Sequence, residues 1–206
     1  MEYPKAVVFD LLTALLDSWS VWAVAAGSPS LGWRWRARYL ELTYGCGVYR
    51  PYEDLVVESA ADTGLPPTAC ASLRESWDTL TPWPEVPAVL ARLHDRGVRL
   101  GIVTNCSVEL GNRAAGRCGV PFDAIVTAEE AGFYKPHPEP YRAVLAALDL
   151  DAAEALFVAG SSVDVPGAMA VGMRVVWHNR MGLPAQPGLK PLREAATLDG
   201  ALDGLF

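Results

Sequence analysis

The chain has 206 residues, 51% of them hydrophobic and 20% charged, enough for one substantial core and a small appended unit. That composition excludes disorder as a description of the whole. A net charge of −7 argues against nucleic acid as a partner and means that an anionic substrate must meet locally placed cations. No apolar run approaches the roughly 18 residues that a membrane span needs, and Met1-Glu-Tyr-Pro lacks the basic start of a secretory signal. Four cysteines without CxxC spacing and three scattered histidines indicate neither a disulfide framework nor a zinc site. A cytoplasmic protein with reduced thiols is the expectation, and a homodimer stays open.

In chain order, Lys5-Ala-Val-Val-Phe9 is a short apolar run ended by Asp10, which reads as a buried strand of a parallel sheet. From Ala14 to Thr81 the strand signal disappears, and helical periodicity takes over. It is interrupted at Gly27-Ser-Pro-Ser30, Gly45-Cys-Gly47 and Gly64-Leu-Pro-Pro67, and Thr81-Pro-Trp-Pro-Glu-Val-Pro87 makes a stiff return. The segment is rich in aromatics, among them Trp19, Trp22, Trp33, Trp35, Tyr39, Tyr44, Tyr52 and Trp77. From Val86 onward short helices and strands alternate: a helix to about Arg96, strand 98–103, helix 108–117, strand 123–127, helix 138–148, strand 155–159, helix 165–171 and strand 174–177. The stretch from Gly182 carries little signal. The pattern predicts an α/β fold, a Rossmann-like doubly wound parallel sheet with a helical cap inserted after the first strand. The expected division is 1–13 and 82–206 for the core and 14–81 for the cap.

Open α/β sheets place their chemistry at the carboxyl ends of strands. Four polar points fall there: Asp10, Thr104-Asn105, Lys135 in Gly132-Phe-Tyr-Lys-Pro-His-Pro138, and Asp164 in Gly160-Ser-Ser-Val-Asp164. An acid after a buried strand is a nucleophile, a metal ligand or a cap on the next turn. A carboxylate attacks only when ionised and partly stripped of water, and a nearby lysine favours ionisation where burial opposes it. Each point also has a plainer reading. Thr104-Asn105 suits a cap for a helix beginning near Ser107, and Asp164 suits an N-cap in addition to any other role. Arg36 and Arg38 fit the solvated side of an amphipathic helix, and Trp33, Trp35, Tyr44 and Tyr52 fit a core. Cys106 has no histidine positioned to activate it.

This ordered set, with a helical insert after its first member, resembles the haloacid dehalogenase superfamily over essentially the whole chain. The resemblance implies Asp10 as nucleophile, Thr104 and Asn105 binding the leaving or transferring group, Lys135 holding the nucleophile ionised, and Asp164 closing the site near the hydrolytic water. Phosphatases of the superfamily carry a second acid two residues after the nucleophile and another four residues before the acid matching Asp164. Here those positions are Leu12 and Gly160. The dehalogenase branch lacks the first of these acids and needs no metal, since a departing halide takes no proton.

Trp35-Arg36-Ala-Arg-Tyr-Leu40-Glu-Leu-Thr-Tyr44 looks like the first cap helix of L-2-haloacid dehalogenases, which makes Arg36 the expected halide-end arginine. Tyr52 and Tyr141 match site aromatics of that branch, Trp177-His-Asn-Arg180 resembles the end of its last core strand, and backbone amides near Leu11 and Leu12 are expected to bind the substrate carboxylate. Ser161 stands near the expected water. The chain departs from the branch at Ala14, with Thr13 adjacent, and at Ala159-Gly160-Ser161 in place of Ser-Ser-Asn. The expectation is hydrolysis of a short 2-haloacid without a cofactor. The rivals are a magnesium-dependent phosphatase with a degenerate metal site and a non-catalytic binding protein on the same fold.

Overall fold

The computed structural model describes residues 3–185, 187, 188 and 190–206. Six strands form one sheet in the order β3-β2-β1-β4-β5-β6, and every neighbouring pair is parallel. They are β1 (Ala6–Phe9), β2 (Arg99–Thr104), β3 (Ala124–Thr127), β4 (Ala155–Ala159), β5 (Arg174–His178) and β6 (Arg193–Ala195). β1 is fully buried between β2 and β4, as its unbroken apolar run requires.

Alternate residues of β1 face opposite layers. Val7 and Phe9 pack with β2, with the helices α5 (Val86–Asp95) and α6 (Val108–Ala115), and with the C-terminal α10 (Leu198–Leu202). Ala6 and Val8 join Val103, Phe157 and Trp177 under α8 (Pro138–Ala147) and α9 (Asp164–Ala170). A one-turn helix, α7 (Ala128–Ala131), follows β3 and is closed by a Thr127–Glu130 capping box.

The segment between β1 and α5 is helical: α1 (Ser18–Ala25), α2 (Pro29–Cys46), α3 (Tyr52–Asp62), α4 (Pro67–Glu75) and a 3₁₀ turn at Ser76–Thr79. Asp17 caps α1 through the Ser20 amide, and Ser28 caps α2 through the Leu31 amide with Pro29 in the first turn. α1 and α2 cross so closely that a Cβ on Gly32 would lie 2.5 Å from the Ala23 Cα. Most of the aromatics here are core. Trp35, Trp22, Tyr39, Tyr52 and Trp77 form a continuous aromatic column, edge-to-face except for the tilted Trp22–Tyr39 pair, and the Trp77 indole donates to the Leu110 carbonyl at 2.9 Å.

Two short pairings fix this helical layer over the strand ends. The chain enters and leaves it side by side, with the Asp17 amide on Thr81 O and the Trp83 amide on Leu15 O. Beyond α2, the Tyr49 amide donates to Gly132 O and the Tyr134 amide to Gly47 O, just before Lys135. Besides the C-terminal α10, two elements escape the sequence reading. β6 is a three-residue, partly exposed edge strand with no apolar run, and α7 is a single turn.

Candidate active site

The four polar points converge between β1 and β4, where the order of the sheet reverses direction; Asp10 and Thr104-Asn105 end β1 and β2, whereas Lys135 stands in the loop after α7 and Asp164 begins α9. Asp10 is anchored on one side by backbone: Oδ2 accepts from the amides of Thr13 and Ala14, each at 3.1 Å. Its Oδ1 accepts from Lys135 Nζ at 2.8 Å, and the same ammonium lies 3.2 Å from Asp164 Oδ1. Lys135 is 2% exposed. Burial alone would lower its pKa, but the two carboxylates outweigh it and raise the pKa above the ordinary lysine value. Burial pushes Asp164 up, against the Lys135 charge and with the Asp10 charge.

The turn that carries the Asp10 amides is itself held from behind. Trp83 Nε1 donates to Thr13 O at 3.0 Å, and the buried His178 ring meets Ala14 O at 2.7 Å through Nδ1, which must therefore carry the proton. Burial lowers the His178 pKa below 6.5, despite the Ala14 carbonyl and the nearby Glu85. The folded state thus binds fewer protons here than the unfolded state. The neutral ring's contribution to stability is complete above about pH 6.5 and is lost as the pH falls below it. Thermal unfolding from pH 7 to 5 is expected to show a smaller fall in Tm for His178→Asn than for the wild type; an identical fall would rule out His178 as a source of acid lability.

Gly160 has a steric reason for being glycine. A Cβ there would lie 2.4 Å from Asp10 Oδ2 and 2.6 Å from the Ala14 amide nitrogen. Leu12 lies in the wall of the cavity beside Asp10. Neither position offers the additional acid of a phosphatase, and among the described residues no group of three or more His, Cys, Asp or Glu could hold a metal ion.

Asp10, Thr104, Asn105, Lys135, Ser161 and Asp164 line one small cavity of about 30 Å³. From α2, Arg36, Leu40 and Tyr44 complete it at successive turns of one helix face, joined by Tyr39. Arg36 is 3% exposed, donates from Nη2 to Thr13 Oγ1 at 2.9 Å, and lies 3.9 Å over the Trp19 ring, which stacks on Trp33. Its Nη1 is buried without a partner. Burial lowers the guanidinium pKa and Asp10 acts against that, so an anion at Nη1 would favour the charged form further.

Asn105 is engaged with Lys135: Oδ1 accepts from the Lys135 amide at 2.7 Å and Nδ2 donates to its carbonyl at 3.0 Å. Tyr39 in turn donates to Asn105 O. The Thr104 hydroxyl is buried in the wall without a partner. Neither residue caps α6, whose first free amide, Val108 N, is met by Glu129 instead. Asp164 is the first residue of α9 rather than its cap, because its side chain is turned toward Lys135.

Three expected positions lie outside the cavity wall. Tyr52 stacks on Tyr39 and Trp77 and borders a separate apolar hollow with Val56, Cys70 and Leu73. Tyr141 sits behind Asp164, its hydroxyl 3.4 Å from the carboxylate. Leu11 is fully buried, and its carbonyl accepts from the amides of Leu15 and Leu16. Cys106 is buried and its thiol is pushed well up, so it is inert. The sequence reading missed Thr13, Tyr39, Leu40 and Tyr44 as cavity residues, and Trp83 and His178 as supports. For α2 the signal was present in the four-residue spacing of Arg36, Leu40 and Tyr44.

Residues 20–172 match the model of the haloacid dehalogenase-like hydrolases. The haloacetate dehalogenase H-2 of Moraxella sp. (strain B) is 31% identical over 198 residues, covering 88% of each chain. The (S)-2-haloacid dehalogenase of Pseudomonas sp. (strain YL) is 29% identical, covering 88% of this chain and 85% of its own. A crystal structure of an L-2-haloacid dehalogenase superposes with a TM-score of 0.83 at 28% identity, covering 95% of this chain and 96% of that one.

Proposed function

The chain belongs to the haloacid dehalogenase-like hydrolases, and within that family we propose that it hydrolyses the carbon–halogen bond of a short 2-haloacid through an ester on Asp10. One observation carries the proposal: a backbone-anchored carboxylate shares a cavity with Arg36, whose Nη1 is buried without a partner. An anionic leaving group formed opposite the attacking oxygen has a waiting donor there. The similarity to haloacetate and (S)-2-haloacid dehalogenases points the same way.

Asp10 Oδ2 is held by two amides against Gly160, which leaves Oδ1 as the attacking atom. Oδ1 forms a bond to the halogen-bearing carbon, the carbon–halogen bond breaks, and the halide leaves toward Arg36 Nη1. The Thr104 hydroxyl and amides of the turn after Asp10 bind the substrate carboxylate. Asn105 fixes the backbone of Lys135, so that the ammonium stays between the two acids. Water then attacks the Asp10 ester carbonyl and gives a proton to Asp164, beside Ser161. The ester opens to the 2-hydroxy acid and the Asp10 carboxylate. No proton is required by the departing halide, which accords with Leu12 and Gly160 where the phosphatases carry acids.

Halide release from racemic 2-chloropropionate, with a chelator present, is the test. Multiple turnovers are expected, unchanged by added magnesium. Silence on haloacids together with magnesium-stimulated cleavage of a phosphate ester would replace the proposal with a phosphatase, and silence on both would leave a binding protein. The cavity is small and walled by Leu12 and Leu40, which favours a short substrate. Along chloroacetate, 2-chloropropionate, 2-chlorobutanoate and 2-chlorohexanoate, kcat/KM is expected to fall steeply beyond three carbons, by roughly tenfold or more per misfitting methylene. A flat series would show that the Leu12 and Leu40 wall does not select for size.

A further inference from the structure

We infer that Tyr44, on the cap-side helix α2, holds the hydrolytic water together with Ser161 and Asp164, in the second half of the reaction. The inference rests on the proposed aspartyl-ester chemistry and assigns a further residue to it. The Tyr44 hydroxyl donates to Ser161 Oγ at 3.2 Å, and the same Oγ accepts from the Asp164 amide at 3.4 Å. Both lone pairs of the serine oxygen are then occupied, and its own hydrogen is left to donate. The phenol has donated its one hydrogen and keeps lone pairs with which to accept. Tyr44, Ser161 and Asp164 all line the cavity that contains Asp10.

A water placed among these three has a full set of partners. One of its hydrogens goes to the Asp164 carboxylate, the other to the Tyr44 oxygen, and one lone pair accepts from Ser161. The remaining lone pair is directed at the Asp10 ester carbonyl carbon. When it attacks, a carbon–oxygen bond forms and the first proton passes to Asp164. The tetrahedral intermediate then collapses by breaking the bond between the Asp10 carboxyl carbon and the oxygen that had been Oδ1, which takes that proton from Asp164 and leaves as the hydroxyl of the 2-hydroxy acid, while the water's oxygen stays on Asp10. The second proton of the water is released to solvent as Asp10 returns to the carboxylate. Burial, with Asp164 nearby, raises the phenol pKa, so Tyr44 remains a hydroxyl throughout.

The position on α2 has a further consequence. Arg36 and Tyr44 are eight residues apart on one helix face, about 12 Å along the axis. The same face therefore serves the halide end of the cavity with Arg36 and the water end with Tyr44. Ser161 stands where the dehalogenase branch carries an asparagine, and the phenol reaching across from α2 supplies a second polar group at that point.

The test separates the two half-reactions by rapid acid quench with 2-chloropropionate. Tyr44→Phe is expected to release the first equivalent of chloride at the wild-type rate and then slow by roughly tenfold to a hundredfold. The quenched protein should gain the mass of one carboxyethyl group, carried on the peptide containing Asp10. Ser161→Ala should accumulate the same ester, which keeps the test valid should the phenylalanine variant fold poorly. Tyr44→Phe turning over like the wild type with no ester, or losing the first chloride equivalent as well, would overturn the assignment. A wild-type enzyme that releases no chloride would instead overturn the dehalogenase reading on which it rests.

Discussion

Asp10→Asn is expected to abolish halide release, by at least roughly 10⁴-fold, in a protein that still folds. The change is isosteric, and Asp164 remains to pair with Lys135 at 3.2 Å, so no buried cation is stranded. Chemistry is lost because an amide oxygen is a poor nucleophile toward saturated carbon. A stability cost also follows from the geometry. Asp10 accepts on both oxygens, from two amides at 3.1 Å and from an ammonium at 2.8 Å, whereas asparagine offers one acceptor and one donor. Whichever way it is turned, its NH₂ faces a donor, which costs about 1–3 kcal/mol. Chloride release and thermal unfolding measured on the same preparation check both statements. Near-normal release from a correctly folded variant would remove Asp10 from the nucleophile role, and with it the ester on which Tyr44 and Asp164 are placed.

The parts of this molecule that follow a period or terminate a strand were legible in its sequence. The apolar run ending at Asp10 fixed the central strand, and the polar ends of the following strands fixed what would meet it, although Lys135 is 125 residues away. The helical layer was legible as helices with glycine breaks, but not in how it packs. With aromatics on every side of α2, composition could not tell that Trp33 stays 44% exposed while Trp35 is fully buried. Tyr52 was misplaced for the same reason, since nothing local to α3 indicates that its ring turns toward Trp77. Trp83 and His178 act through single hydrogen bonds to the carbonyls of Thr13 and Ala14, and a contact of that kind leaves no periodic trace. The one-residue departures were the most instructive. Gly160 reads as a missing acid in the sequence, and the structure shows that Asp10 occupies the room such a side chain would need.

Lys135→Met is expected to be the most damaging substitution for stability and activity together. The ammonium lies between Asp10 and Asp164 in a space closed to solvent, so its removal leaves two buried carboxylates facing each other. Stranding charges in this way costs about 3–5 kcal/mol, and the pair relieves it by taking up a proton. A proton on Asp10 removes the nucleophile, and a proton on Asp164 removes the acceptor for the water's proton. Either way turnover falls, by roughly 10²- to 10⁴-fold near neutral pH. The sign of the pH dependence is then fixed. The folded variant binds more protons than its unfolded chain, so its Tm deficit against the wild type should narrow as the pH falls from 8 to 5. Its residual activity should rise toward alkaline pH, where the shared proton is lost. Lys135→Arg keeps the charge but not the shape, because a planar fork has no room in a site that leaves lysine 2% exposed, and it should recover little. A Lys135→Met enzyme with the wild-type pH profile would show that the two carboxylates are not coupled through this ammonium.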